Sequence, residues 1–407
     1  MDSGGDCKMN LVIFPRKLHG QISVIPSKSQ AHRYLICAAF ADAPTHILCP
    51  ETSRDMEATC ECLNALGANI CHTDDGYLVY PQSVVPENAD LYCKDSGSTL
   101  RFLLPVVGAL GVKATFHLEG RLPQRPLSPL WEVIQEHGCT LSRPTENTIL
   151  CQGKLLPGAY QINAGVSSQF ISGLLFGLTL LPSASTLTLT GKAESVPYIR
   201  MTEQALSAFG IQCNDTTVYG KRRLHSPSQI QVEGDWSNGA FFLTAQALGS
   251  TIDVLGLSDT SVQGDRAILQ LLPMLQKNCS VSAANVPDLV PVMAVFAACN
   301  QGAVFTDIQR LRLKESDRVA TVIEMLRNLG GHAEDTGSSL IIHGTGLIGG
   351  TVNSHNDHRI AMAAAIAATV CKEQVTILGA ECVEKSYPHF WQEYCRLGGK
   401  YEQHLWR

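Results

Sequence analysis

The feature that most constrains the fold is a segment that recurs about every 70 residues, which marks a chain built from one repeated unit. Each copy is an amphipathic run that ends near a glycine and leads directly into a strand-like stretch. The six copies are Cys62–Gly67, Val133–Gly138, Leu206–Gly210, Leu272–Lys277, Met325–Gly330 and Tyr394–Gly398. Glycine suits a helix end because it adopts the left-handed conformation without a Cβ clash. The sequence therefore predicts six repeats, of which the fourth lacks its glycine.

Each repeat mixes helices and strands. Val319, Val322 and Leu326 recur at helical spacing on one face. Thr186–Thr190 and Thr251–Leu255 alternate apolar and polar residues and are rich in β-branched side chains, which is typical of half-buried strands. The fold class predicted from these patterns is α/β.

A chain of 407 residues has room for two or three domains. Three repeats per domain give two α/β domains of similar size. The Pro- and Ser-containing stretch Ser226–Ser228 is the best linker candidate, so we place the domain break near Gln229.

Composition excludes several classes of protein. With 45% hydrophobic and 17% charged residues the chain is globular rather than disordered or fibrous. A net charge of −6 argues against general nucleic-acid binding, which needs a basic face. The longest apolar stretches, Ile171–Leu181 and Ile360–Val370, are shorter than the ~20 residues of a membrane span. We expect neither nucleic acid nor membrane as a partner.

Fifteen cysteines without a secretory signal pattern indicate a reducing, cytoplasmic location. The densest group, Cys60, Cys62, Cys71 and His72, lacks the paired Cys-x-x-Cys spacing of structural zinc sites. We interpret these cysteines as buried free thiols.

Two motifs in the sequence are weak evidence for a cofactor or metal site. Gly344, Gly346 and Gly349 match a dinucleotide fingerprint, but an extended segment follows instead of the required helix, so we predict a hairpin. His355 and His358 could share one helix turn, yet no third metal ligand is evident. A structural or anion-binding role is the better interpretation, and we predict no metal site.

Basic and small polar residues precede several apolar helices. In Ser27–Arg33, Ser29 resembles an N-cap, with Lys28 and Arg33 beside the helix start. Asp95–Arg101 has the same arrangement of polar and basic residues, with Gly97 in the middle. Ser167–Ser172 is a third polar segment at the predicted start of an apolar helix. A helix N-terminus favours anions, although an ordinary capped surface helix explains the segment Ser27–Arg33 equally well.

More cations follow at the predicted ends of elements, in Gln124–Pro126, Arg312–Arg318, Asn356–Arg359 and Lys385–Pro388. In an acidic protein this concentration of cations predicts that two small polyanions bind between the domains. Among them Glu315 has the character of a general acid, because burial and neighbouring groups can raise a glutamate pKa.

The ordered segments resemble one family, the 5-enolpyruvylshikimate-3-phosphate synthases. The matching motifs are Ser27-Lys-Ser, Asp95-Ser-Gly-Ser-Thr-Leu-Arg, Gln124-Arg-Pro, Ser167-Ser-Gln, Val196-Pro-Tyr, Val286-Pro-Asp, Leu313-Lys-Glu-Ser-Asp-Arg, Asn356-Asp-His-Arg and Lys385-Ser-Tyr-Pro. The resemblance implies two inside-out α/β barrel domains, each of three βαβαββ units, with the active site in the cleft between them. It places residues 22–229 in one domain and 1–21 plus 230–407 in the other, with crossings near Gln21 and Gln229.

The resemblance also implies a reaction: the enolpyruvyl group of phosphoenolpyruvate passes to the 5-hydroxyl of shikimate 3-phosphate, and phosphate is released without metal or cofactor. Glu315 would be the carbon acid, Asp288 the base, and Lys28 would assist proton transfer. Shikimate 3-phosphate would contact Lys28, Ser29, Arg33, Ser167, Ser168, Gln169, Ser195, Tyr198, Asp288, Arg310 and Lys314. Phosphoenolpyruvate would contact Lys28, Gly97, Arg125, Gln169, Arg318, Arg359 and Lys385. The resemblance further implies that glyphosate inhibits the enzyme and that the enzyme is a monomer.

Two alternatives remain: a UDP-N-acetylglucosamine enolpyruvyl transferase, and a non-catalytic relative that binds phosphometabolites. The motifs Ser167-Ser-Gln and Val196-Pro-Tyr favour the shikimate 3-phosphate enzyme over the UDP-N-acetylglucosamine enzyme. The presence of Lys28, Asp288 and Glu315 argues against a non-catalytic relative. The chain departs from the family pattern at Asp95, often Asn, and at Arg310, Asn in some members. The glycine often found before the first Ser-Lys-Ser is also absent.

Overall fold

The computed structural model describes residues 9–212, 217–218, 220 and 223–404. The helices are α1 Lys28–Ala39, α2 Arg54–Ala65, α3 Gly97–Leu110, α4 Leu130–Glu136, α5 Ser168–Thr179, α6 Val196–Ala208, α7 Trp236–Ala247, α8 Ile268–Leu275, α9 Val290–Ala298, α10 Arg318–Asn328, α11 His358–Ala368 and α12 Phe390–Arg396.

The strands are β1 Asn10–Phe14, β2 His19–Ser23, β3 Thr45–Leu48, β4 Asn69–Thr73, β5 Gly76–Tyr80, β6 Asn88–Lys94, β7 Lys113–Leu118, β8 Cys139–Ser142, β9 Thr148–Gly153, β10 Ala159–Asn163, β11 Ser185–Thr190, β12 Thr217–Val218, β13 Gln229–Gln231, β14 Thr251–Leu255, β15 Cys279–Ser282, β16 Ala303–Thr306, β17 His332–Asp335, β18 Ser339–His343, β19 Gly350–Asn353, β20 Val375–Leu378 and β21 Lys400–His404. The helix and strand predictions for Val319–Leu326, Thr186–Thr190 and Thr251–Leu255 are thus confirmed.

The chain divides into two compact units. The first unit comprises Pro26–Glu233, and the second comprises Gly234 onward together with the described residues up to Ile25. The predicted domains begin and end a few residues earlier, near Gln21 and Gln229. The difference has a physical reason: β2 pairs with β14 and so keeps the chain in the second unit through Ser23, while β13 pairs with β3 in the first. Residues 1–8 of the predicted second domain lie outside the described residues.

Each sheet of the first unit begins with a parallel pair and continues with antiparallel strands. The orders are β13-β3-β5-β4, β6-β7-β9-β8 and β10-β11-β12. The first repeat borrows its opening strand, β13, from the far end of the unit. Two sheets of the second unit follow the same rule, with orders β15-β16-β18-β17 and β19-β20-β1-β21. The third, β14-β2, has only its parallel pair among the described strands, in the repeat that lacks the glycine.

In each unit the helices form the core and the sheets lie outside. Every residue of α9 and of α11 is buried, and α5 is buried except for Gln169. The strands alternate between buried and exposed residues, as in Asn88–Lys94. Sheets with one solvated face must alternate, whereas a helix surrounded by other elements is apolar on all sides. This is the inside-out α/β architecture.

All five predicted helix-ending glycines are confirmed in the left-handed region. Gly67, Gly138, Gly210, Gly330 and Gly398 have φ values of 99°, 105°, 82°, 82° and 86°. A side chain there would be strained, since L-residues rarely adopt these angles.

Some local predictions were wrong. The segment Gly344–Gly349 does not form a hairpin, because β18 before it and β19 after it belong to different sheets. Cys60 and Cys62 are buried as expected, but Cys71 is exposed. His355 lies before α11 rather than in it, and it forms an exposed pair with Glu324. Among the described residues, no helix is both long and apolar enough to cross a bilayer.

Candidate functional site

Four helices of the first unit begin close together. The Lys28 ammonium at the start of α1 lies 2.8 Å from the Asp55 carboxylate in the first turn of α2. The carbonyl oxygen of Asp55 accepts from the Thr99 hydroxyl of α3 at 3.5 Å. Gln169 of α5 donates to the Ser98 hydroxyl of α3 at 3.0 Å. The positive ends of these helix dipoles therefore face one region, which is the electrostatic requirement for holding an anion.

The helix caps differ in detail from the sequence expectation. Ser27, not Ser29, is the N-cap of α1, and Ser29 is the second residue of the helix. The reason is that Ser27 has the extended backbone of a cap (φ −66°, ψ 108°), so helical dihedrals begin at Lys28.

Arg33 is a structural link among helices. It is 2% exposed, and its Nε donates to the Thr202 hydroxyl of α6 at 2.8 Å. One terminal nitrogen donates to the Tyr198 carbonyl at 2.9 Å and to the Ser172 hydroxyl of α5 at 3.4 Å. The guanidinium carbon lies 5.0 Å from the centre of the Phe102 ring. Burial lowers the pKa of Arg33 to about 10, so the side chain stays charged at neutral pH. Arg33 thereby fixes α5 and α6 against α1.

Gly97 opens α3 where two arginines converge. A Cβ at Gly97 would lie 2.5 Å from a terminal nitrogen of Arg101 and 2.8 Å from one of Arg125. Arg101 and Arg125 are 3% and 8% exposed, and Arg101 also donates to the Pro126 carbonyl at 3.1 Å. Only a residue without a side chain leaves room for both guanidinium groups at this helix start.

The remaining predicted residues of the first unit lie at the starts of α5 and α6. Ser167 caps α5 by accepting from the Gln169 amide at 3.3 Å, and Ser168 is 4% exposed. Ser195 is the N-cap of α6 in a left-handed conformation with φ 54°, and it is 1% exposed. Tyr198 follows in the first turn of α6. Left-handed backbone at a non-glycine residue is strained and clusters at functional sites.

In the second unit, Arg318 joins three carboxylates. It is 1% exposed and opens α10. Its Nε lies 2.8 Å from Asp357, and its terminal nitrogens lie 2.8 Å from Glu315 and 2.5 Å from Asp288. Lys314 adds a second cation at 3.3 Å from Asp288. The predicted acid and the predicted base are therefore both held on one guanidinium.

The electrostatics of this group favour charged side chains. Burial opposes ionisation of Asp288, but Lys314, Arg318 and Arg359 outweigh it and hold its pKa well below the usual value. Burial lowers the pKa of Lys314, and the charge of Asp288 partly restores it. With its present neighbours, Asp288 is an ionised carboxylate of low basicity.

Three further cations of the second unit are nearly buried. Arg359, 4% exposed, lies in the first turn of α11 and donates to the Asn238 side-chain oxygen at 3.5 Å. The Lys385 ammonium donates to the Asn356 carbonyl at 2.9 Å, and Lys385 is 8% exposed. Arg310 is also 8% exposed. Burying cations is costly unless they are paired. The neutral oxygens of Asn238 and Asn356 offset part of this cost, and Arg359 also lies near the Asp288 carboxylate.

Sequence reasoning missed two buried carboxylates. Asp357 is the N-cap of α11 and binds Arg318 through both side-chain oxygens. Its position before an apolar helix was a usable signal. Asp265 accepts from the Ser237 hydroxyl, and burial, followed by the charge of Asp288, raises its pKa to about 7. No local pattern marks Asp265, because its neighbours come from distant segments.

Comparisons with known proteins agree with one another. The family model described as EPSP synthase (3-phosphoshikimate 1-carboxyvinyltransferase) matches residues 13–278 and 273–394. A 3-phosphoshikimate 1-carboxyvinyltransferase of Clostridium kluyveri is 38% identical over 419 residues, covering 96% of this chain and 98% of the relative. One of Clostridium perfringens strain SM101 is 37% identical over 416 residues, with the same coverage of each chain.

Solved structures match the fold. An EPSP synthase of Acinetobacter baumannii, determined at 2.37 Å, superposes with a TM-score of 0.79 at 22% identity, covering 97% of this chain and 100% of that one. A second structure of EPSP synthase from the same organism has a TM-score of 0.78 at 20% identity, covering 97% and 99%. At such identities the likeness concerns the fold.

Proposed function

The chain belongs to the EPSP synthase family, and we propose on this ground that it transfers the enolpyruvyl group of phosphoenolpyruvate to the 5-hydroxyl of shikimate 3-phosphate, a step of the shikimate pathway. The observation that carries this function is the match over 96% of the chain, at 38% identity, to a relative named for that activity. Neither the UDP-N-acetylglucosamine enolpyruvyl transferase nor the non-catalytic binding protein is favoured.

The proposed reaction is an addition followed by an elimination. The 5-hydroxyl oxygen bonds to the central carbon of phosphoenolpyruvate while that hydroxyl loses its proton and the methylene carbon gains one. The methyl group then loses a proton, the carbon–oxygen bond to phosphate breaks, and phosphate leaves. Every atom of the products comes from the two substrates, so the proposal names no cofactor.

The proposed roles assign Glu315 as the acid for the methylene carbon and Asp288 as the base for the hydroxyl. Both carboxylates are fixed by Arg318, and orienting the reacting groups in advance removes part of the entropic barrier. Because its cationic neighbours make Asp288 a weak base, we propose that an incoming anionic substrate draws some of these cations away and raises its basicity. Lys28 would assist the proton transfer.

Substrate contacts follow the family motifs. We propose that shikimate 3-phosphate contacts Lys28, Ser29, Arg33, Ser167, Ser168, Gln169, Ser195, Tyr198, Asp288, Arg310 and Lys314. Phosphoenolpyruvate would contact Lys28, Gly97, Arg125, Gln169, Arg318, Arg359 and Lys385. The buried guanidinium of Arg33 already has four hydrogen-bond partners in the protein, so its main contribution is to hold Tyr198 and α1 in place for the substrate.

Three finer proposals accompany the function. Glyphosate would compete with phosphoenolpyruvate, the enzyme would act as a monomer, and it would work in the cytoplasm. Charged phosphorylated substrates do not cross membranes unaided, which supports the last of these.

The decisive experiment measures phosphate release from phosphoenolpyruvate with each acceptor in turn. We expect release with shikimate 3-phosphate and none with UDP-N-acetylglucosamine. Release with the nucleotide sugar alone would favour the second transferase. No release with either acceptor, from protein that binds shikimate 3-phosphate in calorimetry, would support the non-catalytic relative and overturn the proposed reaction.

A further inference from the structure

Three exposed side chains on the β17–β18 pair present metal-binding atoms to one point. The two strands are antiparallel, and His332 lies directly opposite His343 in the register. Alternation puts His332 and Glu334 on the outer face of β17, with Ala333 buried between them. On β18, Ile342 is buried and His343 points outward beside them.

The distances suit a shared ligand. Oε1 of Glu334 lies 3.0 Å from Nε2 of His343 and 3.6 Å from Nε2 of His332. The two imidazole centres are 4.4 Å apart. One ligand atom from each of the three side chains lies within 4.8 Å of the others. Ligands of a tetrahedral zinc ion stand roughly 3.3 Å apart at Zn–N distances of about 2.0 Å, so modest side-chain rotations bring these atoms into place.

From this cluster we propose a surface binding site for one divalent transition-metal ion of the Zn²⁺ class. Two imidazoles and one carboxylate are a ligand set that zinc, nickel and copper accept, whereas Mg²⁺ and Ca²⁺ prefer oxygen ligands alone. The side chains are 52%, 48% and 42% exposed for His332, Glu334 and His343, so an ion reaches them without opening the fold.

An ordinary surface ion pair is the competing explanation. The pair His355–Glu324, at 3.0 Å, has a similar distance and exposure, and it has one imidazole. In the cluster, by contrast, one carboxylate serves two rings. Exposed ion pairs contribute little to stability. Ion pairing alone is therefore a weak explanation for two imidazoles lying beside the Glu334 carboxylate. Within the described part of the chain this is the one such group of three.

The site is independent of the proposed function. Helix α10 starts at Arg318 and ends at Asn328, just before β17, so the cluster lies about 15 Å along that helix from the predicted acid and base. The terminal nitrogen of Arg327 donates to the Ala333 carbonyl at 3.0 Å and ties α10 to β17. A bound ion would cross-link β17, the edge strand of its sheet, to β18 and would stabilise the second unit.

The test uses full-length protein without a histidine tag, stripped of metal by a chelator and titrated with Zn²⁺ in a calorimeter at about pH 7.5. We expect one saturable site with micromolar affinity that depends on the cluster. The double variant His332→Ala/His343→Ala should weaken Zn²⁺ binding at least ~100-fold, and Glu334→Gln ~10-fold. Zn²⁺ should raise the Tm of the parent protein but not that of the double variant, and Mg²⁺ should do neither.

Two controls isolate the cluster. His355→Ala removes an exposed imidazole that also faces a carboxylate, and it should leave Zn²⁺ affinity unchanged. Cys71→Ser/Cys395→Ser removes the two thiols that are exposed among the described residues and should preserve the site. Circular dichroism confirms that each variant is folded. The proposal is overturned by the absence of saturable binding, by unchanged affinity in the double variant, or by loss of the site in either control. Turnover of the double variant should equal that of the parent, whichever reaction the enzyme catalyses.

Discussion

Replacing Gly97 with alanine tests the start of α3 by adding one methyl group. The new Cβ would lie 2.5 Å from Arg101 and 2.8 Å from Arg125. Ordinary contact is ~3.4 Å, so the two guanidinium groups must retreat by roughly 0.6 to 0.9 Å. The backbone tolerates the change because Gly97 is the first residue of a helix and does not need a positive φ. We therefore expect a folded enzyme with an altered anion site.

The magnitude follows from the displaced cation. A hydrogen bond to a charged group contributes about 1.5 to 3 kcal/mol, so a partial loss at Arg125 should raise the KM for phosphoenolpyruvate by roughly 3- to 10-fold. Glyphosate is the longer ligand and would also meet the added methyl. Overpacking costs about 1 to 3 kcal/mol, which adds at least ~5-fold to the increase in its inhibition constant.

The assay follows phosphate release at varied phosphoenolpyruvate and glyphosate with saturating shikimate 3-phosphate. Gly158→Ala is the matched control, because among the described residues only its chain neighbours lie within 4 Å of the added Cβ. Both constants should stay unchanged in this variant. Equal increases in KM and the inhibition constant would show that Gly97 does not line the inhibitor's end of the site. No change in either constant would remove Arg125 and the whole Asp95–Arg101 segment from the phosphoenolpyruvate site.

The remaining predictions concern the acid, the buried arginine and pH. Glu315→Gln should lower kcat at least ~100-fold while calorimetry still detects shikimate 3-phosphate binding, since glutamine can accept from Arg318 but cannot donate the proton; near-normal kcat would exclude the role. Arg33→Met should lower the free energy of unfolding by about 2 to 4 kcal/mol in urea titrations, because its buried acceptors lose their donor, and an unchanged midpoint would contradict its linking role. Asp265 has a raised folded-state pKa of about 7, so its contribution to stability is present below its unfolded pKa and is lost as pH rises through 7. The Tm of Asp265→Asn relative to the parent should accordingly rise between pH 5 and pH 8, and a constant difference would refute the shift.

Local features of the fold could be predicted because they depend on neighbouring residues. The glycines that end helices and the apolar face of α10 (Val319, Val322 and Leu326) can each be recognised within a short segment of sequence. The structure confirms both features. The polar segments ahead of apolar helices likewise mark the starts of α1, α3 and α5, although the cap of α1 is Ser27 rather than Ser29. Residue spacing and composition predict these helix starts and ends, because capping and the helix-ending glycine depend on residues within one helical turn.

The sequence by itself determined a sixfold α/β repeat, the glycines that end its helices and a set of cations near the starts of other helices. The tertiary structure decided which strands share a sheet: β13 completes the first repeat from the far end of its unit, and β1 joins β20 and β21. It also decided that Arg318 holds three carboxylates and that His332 meets His343 across two strands. Such contacts join residues that are distant in sequence, so no periodicity encodes them; burial of the helices and pairing of the strands bring them together.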